Sequence, residues 1–197
     1  ALSFGLALGI VGTSILLLGA GSLAASVALA TFVLYVAVYT PLKPLTSLNT
    51  VVGAVPGALP PLIGWGAATG RLGIEAWALF LIVFLWQFPH FLAIAWIYRD
   101  DYRRAGFRML TAGDLRGRMT GCQAVSYALA LIPAGLLPAT IGLAGPLYFP
   151  GALALGLIYL GAAARFWLDA SDLEARRLLR TSFVYLPTIL LLLLLLK

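Results

Sequence analysis

Seven long apolar runs dominate this chain, at residues 2–20, 23–40, 50–69, 76–97, 121–143, 147–167 and 180–196. Each is close to the ~20 residues that a helix rising ~1.5 Å per residue needs to cross a bilayer. The runs are continuous rather than alternating, which predicts membrane helices and argues against a barrel built of roughly ten-residue strands. Turn-forming or polar stretches separate them at 19–22, 41–49, 70–73, 98–120, 142–146 and 168–179. Hydrophobic residues make up 62% of the 197 and charged ones only 10%, whereas a soluble domain carries roughly 25% charged residues to cover its surface. A cytosolic enzyme, a secreted disulfide scaffold and a disordered tail are thereby excluded. The expected fold class is all-α: a polytopic transmembrane helix bundle, one domain over 1–197, with the 98–120 loop carrying an acidic motif.

The formal charge of +6 concentrates in three loops, so orientation in a membrane explains it better than nucleic acid does. All 13 Lys and Arg except Arg71 and Lys197 fall on the side of the 41–49, 98–120 and 168–179 loops. The positive-inside rule makes that side cytoplasmic. Six of the seven acids share it, Glu75 being the exception. No span carries a charge at its centre, which weakens a transporter reading. The lone Cys122 cannot form an intramolecular disulfide and is expected to be a small buried hydrophobe. The chain opens at Ala1, already in an apolar run and without the positive leader of a signal peptide, so further sequence is expected upstream.

Three polar constellations interrupt this apolar background. Tyr39 and Lys43 close the second span four residues apart, on one face if the helix persists. They read either as an interfacial tyrosine with a snorkelling lysine or as a clasp for a diphosphate. Pro56, Pro60 and Pro61 break the third span, while Gly53 and Gly57 give it a small-residue face that suits either tight packing or the wall of a cavity. In the fourth span Trp86, Gln87 and His90 fall within one turn, and His90 reads equally as a bonded structural residue or as one facing a ligand. About three turns on stand Asp100 and Asp101, ringed by Arg99, Arg103, Arg104 and Arg108. Carboxylates with open water positions suit Mg²⁺ held jointly with substrate phosphates, and arginine forks suit the remaining oxygens. A cytoplasmic basic loop with neutralising acids is the alternative.

Four stretches carry a resemblance that spans nearly the whole chain. They are Tyr39-Thr40-Pro41-Leu42-Lys43 with Thr46 and Asn49, Gly53-Ala54 through Pro60-Pro61-Leu62 to Gly64-Trp65, Trp86-Gln87 with Pro89-His90-Phe91 and on through Asp101-Tyr102 to Met109-Leu110, and Leu179-Arg180-Thr181-Ser182 to Pro187. In order and spacing the chain resembles the UbiA superfamily of intramembrane prenyltransferases, and within it the haem O synthase branch. The resemblance implies a nine-helix fold, of which seven spans are present here. It also implies an Mg²⁺ cofactor, farnesyl diphosphate as donor and haem b as acceptor, with the farnesyl group joined to a haem vinyl group.

Carried over by residue, Asp100 and Asp101 match the second acidic motif that holds Mg-diphosphate. Tyr39 and Lys43 match the catalytic pair beside the diphosphate, and Asn49, Arg99, Tyr102 and Arg103 match its binding shell. His90, with Gln87 and Trp86, is expected on the haem side. The resemblance further implies a multi-pass protein of a bacterial plasma membrane, in contact with lipid and with a downstream partner in haem A synthesis. The first acidic motif of the family and the two helices before it are missing, so this length of chain is expected to be inactive alone. Pro44, Arg108 and Thr111 also depart from the pattern. Competing readings are a UbiA-type enzyme with an aromatic quinone-precursor acceptor, and a non-catalytic membrane transporter or haem-binding protein.

Overall fold

A computed structural model describes residues 2–107, 109, 111, 113–114 and 116–196, with Leu2 described by its backbone alone. Arg108 of the arginine ring, Leu110 of the third motif and the outer cation Lys197 lie outside the described residues. Among the described residues the chain is helical throughout, with no strand. The helices are α1 (Leu2–Ala20), α2 (Ser22–Val33), α3 (Thr40–Leu42), α4 (Asn49–Ala58), α5 (Pro60–Thr69), α6 (Ile74–Ile97), α7 (Arg99–Arg104), α8 (Arg118–Thr140), α9 (Tyr148–Leu168) and α10 (Asp172–Leu195). Seven of the resulting helical rods are long and apolar enough to span a bilayer, and the chain is an integral, multi-pass membrane protein.

Two of the seven spans are irregular, and proline chemistry accounts for both. The rod that starts as α2 reaches α3 through one wide π-helical stretch, Leu34–Tyr39. There Thr40 sends both its N–H and its hydroxyl to the carbonyl of Tyr35, five residues back, the hydroxyl at 2.9 Å. Pro41 follows and has no N–H to keep the i−4 ladder in register. The third span is two short helices: α4 ends at Ala58, Pro60 opens α5 at a position where a missing N–H costs nothing, and Leu59 forms the joint.

The core lies among α6, α8, α9 and α10, where Ile82, Leu92, Leu131, Tyr159, Phe166 and Tyr185 are buried together. Alanines on the facing sides let backbones approach: Ala124, Ala128, Ala163 and Ala175 have no exposed surface. At Gly121 the approach is closest, since a Cβ there would sit 2.6 Å from the Cα of Trp167. Leucines such as Leu18, Leu168, Leu194 and Leu195 face outward, where lipid rather than water meets them. Cys122 corrects an expectation. It is exposed, because the outer surface of a membrane helix is as apolar as its inner one and apolar neighbours do not imply burial.

One end of the bundle gathers the polar groups. Arg99 reaches across to Asp172 at 2.7 Å and bonds the Trp96 carbonyl, also at 2.7 Å, tying the end of α6 to the start of α10. Asp114 accepts from the N–H and hydroxyl of Thr120 in the first turn of α8, at 2.7 and 2.9 Å, and Thr111 donates to the Ala95 carbonyl at 3.2 Å. The stretch between α6 and α8 is thus folded back on the bundle. Arg71 and Glu75 pair between α5 and α6, 3.9 Å apart.

Candidate active site

Tyr39, at the end of the π-helical stretch, lies against the glycine face of α4. A Cβ on Gly53 would stand 2.5 Å from its ring, and one on Gly57 would stand 2.5 Å from Oε1 of Gln87. Both glycines therefore admit side chains from neighbouring helices, and both also line a hollow of about 270 Å³ with Tyr35, Thr50, Phe91, Ile94, Tyr102 and Met109. The two readings of this face, packing and cavity wall, hold together. At the polar end of the bundle the hollow meets a smaller recess of about 100 Å³, lined by Tyr39, Lys43, Asn49, Tyr102, Phe107 and Met109. Tyr39, Tyr102 and Met109 line both, so a largely apolar chamber lies next to a more polar mouth.

Each mouth residue is held by local structure. The ammonium of Lys43 stands 4.6 Å from the centre of the Tyr39 ring and 5.8 Å from that of Tyr35, within the range of cation–π attraction. Asn49 is buried and donates to the carbonyls of Thr46 (2.6 Å) and Lys43 (3.4 Å), pinning the turn that carries the lysine. Helix α7 closes on Gly106, whose φ of +74° suits a residue without Cβ. Gly106 donates to Arg103 and Phe107 to Tyr102, the paired bonds of a Schellman cap. The Tyr102 and Phe107 rings meet across that cap at 6.2 Å, and both face the mouth.

Asp100 and Asp101, in the first turn of α7, are not among the residues that line the chamber or the mouth. Their side chains are 69% and 63% exposed, and each is paired one turn along, Asp100 with Arg103 at 3.3 Å and Asp101 with Arg104 at 2.5 Å. Ion pairs this open to solvent are weak and easily exchanged. Arg99 is committed differently, to Asp172 and to the face of Trp96, 4.8 Å away.

The three residues grouped on α6 by the sequence part company in space. Gln87 turns toward α4 and donates to the Ala54 carbonyl at 2.7 Å. Trp86 and His90 turn toward α10. Their rings stack at 4.9 Å, Trp86 donates to the Ser182 carbonyl at 2.9 Å, and His90 Nδ1 lies 2.8 Å from Ser182 Oγ. Since that hydroxyl donates its one proton to the Leu179 carbonyl at 2.6 Å, it accepts from Nδ1–H. The tautomer assigned by this network leaves the lone pair on Nε2. Phe183 lies edge-on to the imidazole at 5.2 Å.

A model of the UbiA prenyltransferase family matches residues 1–187. The chain belongs to that family. Among curated relatives it is 50% identical over 189 residues to the protoheme IX farnesyltransferase of Solibacter usitatus, covering 96% of this chain and 65% of that protein. It is 46% identical over 172 residues to the one of Koribacter versatilis, covering 84% and 56%. To the one of Myxococcus xanthus it is 44% identical over 189 residues, covering 94% and 63%. The chain thus spans between 56 and 65% of these relatives' lengths. No solved structure matches it.

The family implies a metal ion, and the residues here fit one as a partial ligand set. No group of three or more acidic, histidine or cysteine side chains gathers among the described residues. Mg²⁺, however, is commonly bound through one or two carboxylates with substrate phosphates and waters completing the shell, and Asp100 and Asp101 offer hard oxygens held only by exposed arginines. Several residues at this site were not singled out from the sequence. Tyr35 could have been, four residues before Tyr39 on the same rod. Phe91, Ile94 and Thr50 could not, since only the packing of α4 against α6 makes them cavity walls.

Proposed function

We propose that this chain carries the donor side of a membrane prenyltransferase that moves a farnesyl group from farnesyl diphosphate to a vinyl group of haem b, giving haem O. The observation that supports this reading is a polar recess adjoining an apolar chamber, with Tyr39, Tyr102 and Met109 in the walls of both. An amphiphilic diphosphate requires those two environments in that order. The names of the three relatives support haem as acceptor.

In this reading the diphosphate lies at the mouth against Lys43, Tyr39, Asn49, Tyr102 and Arg103, with the polyprenyl tail in the chamber lined by Gly53, Gly57, Phe91 and Ile94. Asp100 and Asp101 would be the residues to hold Mg²⁺, which when bound would supply positive charge to the leaving diphosphate. Arg99 positions α7 by its hold on Asp172. The C1–O bond of the donor breaks and its electron pair leaves with the diphosphate, which Lys43 and Arg103 stabilise. The vinyl π electrons form the new carbon–carbon bond, and the resulting cation takes up water and loses a proton to become the alcohol. The Tyr102 ring, beside the mouth, stabilises the allylic cation through its π face. Trp86 and His90, on the α10 side of α6, present Nε2 and an aromatic stack toward the haem. The loops at this end are cytoplasmic on the distribution of Lys and Arg, in a bacterial plasma membrane.

The test is transfer of radiolabel from farnesyl diphosphate in membranes containing the full-length protein of which this chain is a part. Label entering haem b supports the assignment. Label entering hydroxybenzoate and not haem b would replace it with an aromatic-acceptor enzyme.

A further inference from the structure

A second cavity, of about 480 Å³, lies between α9 and α10 and shares no residue with the chamber or its mouth. Its walls divide by chemistry. Ile158, Gly161 and Ala162 of α9 form an apolar strip, and a Cβ on Gly161 would meet nothing within 4 Å. Arg165 in the last turn of α9, with Arg177 and Arg180 of α10, forms a cationic rim at the polar end of the bundle. Glu174 is the one acid among the lining residues. It is buried; one of its oxygens accepts from Arg177, while the other, Oε2, is buried with no hydrogen-bond partner.

A buried carboxylate oxygen without a donor is costly, and Glu174, which carries it, lines a cavity large enough to hold a group that donates. With Arg177 offsetting Glu174, Arg165 and Arg180 remain to meet a negative charge. The site therefore asks for three things together: an anionic oxygen cluster for the arginines, a hydroxyl donor for Oε2, and a chain to lie along the strip at Gly161. Inorganic phosphate supplies the anionic oxygens and a P–OH donor but no chain, and a choline phospholipid lacks the donor. Arg165 stands in the last turn of α9 and Arg177 and Arg180 in the first half of α10, near span ends, the region where lipid headgroups meet basic side chains.

We propose that this cavity holds the headgroup of a phosphatidylglycerol-type lipid, its phosphodiester on Arg165 and Arg180, a glycerol hydroxyl on Glu174 Oε2, and an acyl chain over Gly161.

The experiment is native mass spectrometry of the delipidated protein with phosphatidylglycerol, phosphatidylcholine or inorganic phosphate. Phosphatidylglycerol is expected to stay bound in preference to phosphatidylcholine. Arg180→Gln should weaken it about fivefold, the effect of one arginine near a lipid phosphate. Arg176→Gln, which removes a charge on the same helix but outside the cavity lining, should not. Gly161→Leu fills the strip without a clash in the fold and should also displace the lipid. Equal retention of the two lipids overturns the proposal, as does equal loss in Arg176→Gln and Arg180→Gln. Retention in Gly161→Leu together with full competition by millimolar phosphate identifies a free phosphate instead and overturns the lipid.

Discussion

Gly53 and Tyr39 stand so close that the Cβ which glycine lacks would lie 2.5 Å from the tyrosine ring, inside any permitted carbon–carbon contact. The ring cannot yield cheaply, because Lys43 holds one side of it and Tyr35 packs at 5.1 Å. In the full-length protein Gly53→Ala should therefore move Tyr39 at the mouth and lower transfer from farnesyl diphosphate about 10- to 100-fold, the scale of an ångström-sized misplacement. Gly64→Ala is the control: nothing lies within 4 Å of that site, and activity should be unchanged. Equal activity in the two variants would show that the position of Tyr39 does not matter.

The contact between His90 and Ser182 links α6 to α10 across 92 positions of sequence. Both residues are buried. Ser182→Ala leaves the Nδ1 proton without its acceptor, at an expected cost of about 1–3 kcal/mol. The check is a double-mutant cycle with His90→Ala, read as thermal stability in detergent. A coupling above about 0.5 kcal/mol is expected for groups in contact, and additive losses would mean that the bond contributes nothing.

Much of this architecture is legible in the sequence because a bilayer asks a simple question of each segment. The seven spans and the break around Pro60 follow from length, apolarity and a missing N–H. The widened turn before Tyr39 does not, since Thr40 and Pro41 only together divert the ladder. Cys122 shows where apolarity stops being informative: lipid and protein interior make the same demand of a side chain, so burial cannot be read from it. The separation of Gln87 from Trp86 and His90 was available in principle. Neighbours i and i+1 lie ~100° apart on a helix, while i and i+4 nearly coincide. Which face meets α4 and which meets α10 needed the tertiary structure. The cavity walls supplied by Phe91, Ile94 and Thr50 depend on the same packing.

Asp101 offers a separation of folding from function. Its carboxylate is exposed and paired only with Arg104, so Asp101→Asn should change stability by no more than about 1 kcal/mol. If the carboxylate binds magnesium with the diphosphate, the same substitution in the full-length protein should abolish turnover. Chelation by EDTA should stop the unsubstituted protein as well, and added Mg²⁺ should restore it. Full activity in Asp101→Asn would remove this residue from the metal site.

Lys43 is the cation most directly placed at the mouth, held over Tyr39 and facing the recess lined by Asn49 and Tyr102. A charged donor to an anionic oxygen contributes roughly 1.5–3 kcal/mol, which corresponds to about a 10- to 100-fold change in binding. Lys43→Met keeps the apolar stem and removes the charge. It should raise the KM for farnesyl diphosphate by that factor while leaving the KM for haem b unchanged, because Lys43 is proposed to meet the diphosphate and not the acceptor. A matching rise in both constants would show that Lys43 does not act on the donor alone and would remove it as the specific diphosphate contact. An unchanged donor KM with lower kcat would instead mean that Lys43 meets the diphosphate only as it leaves.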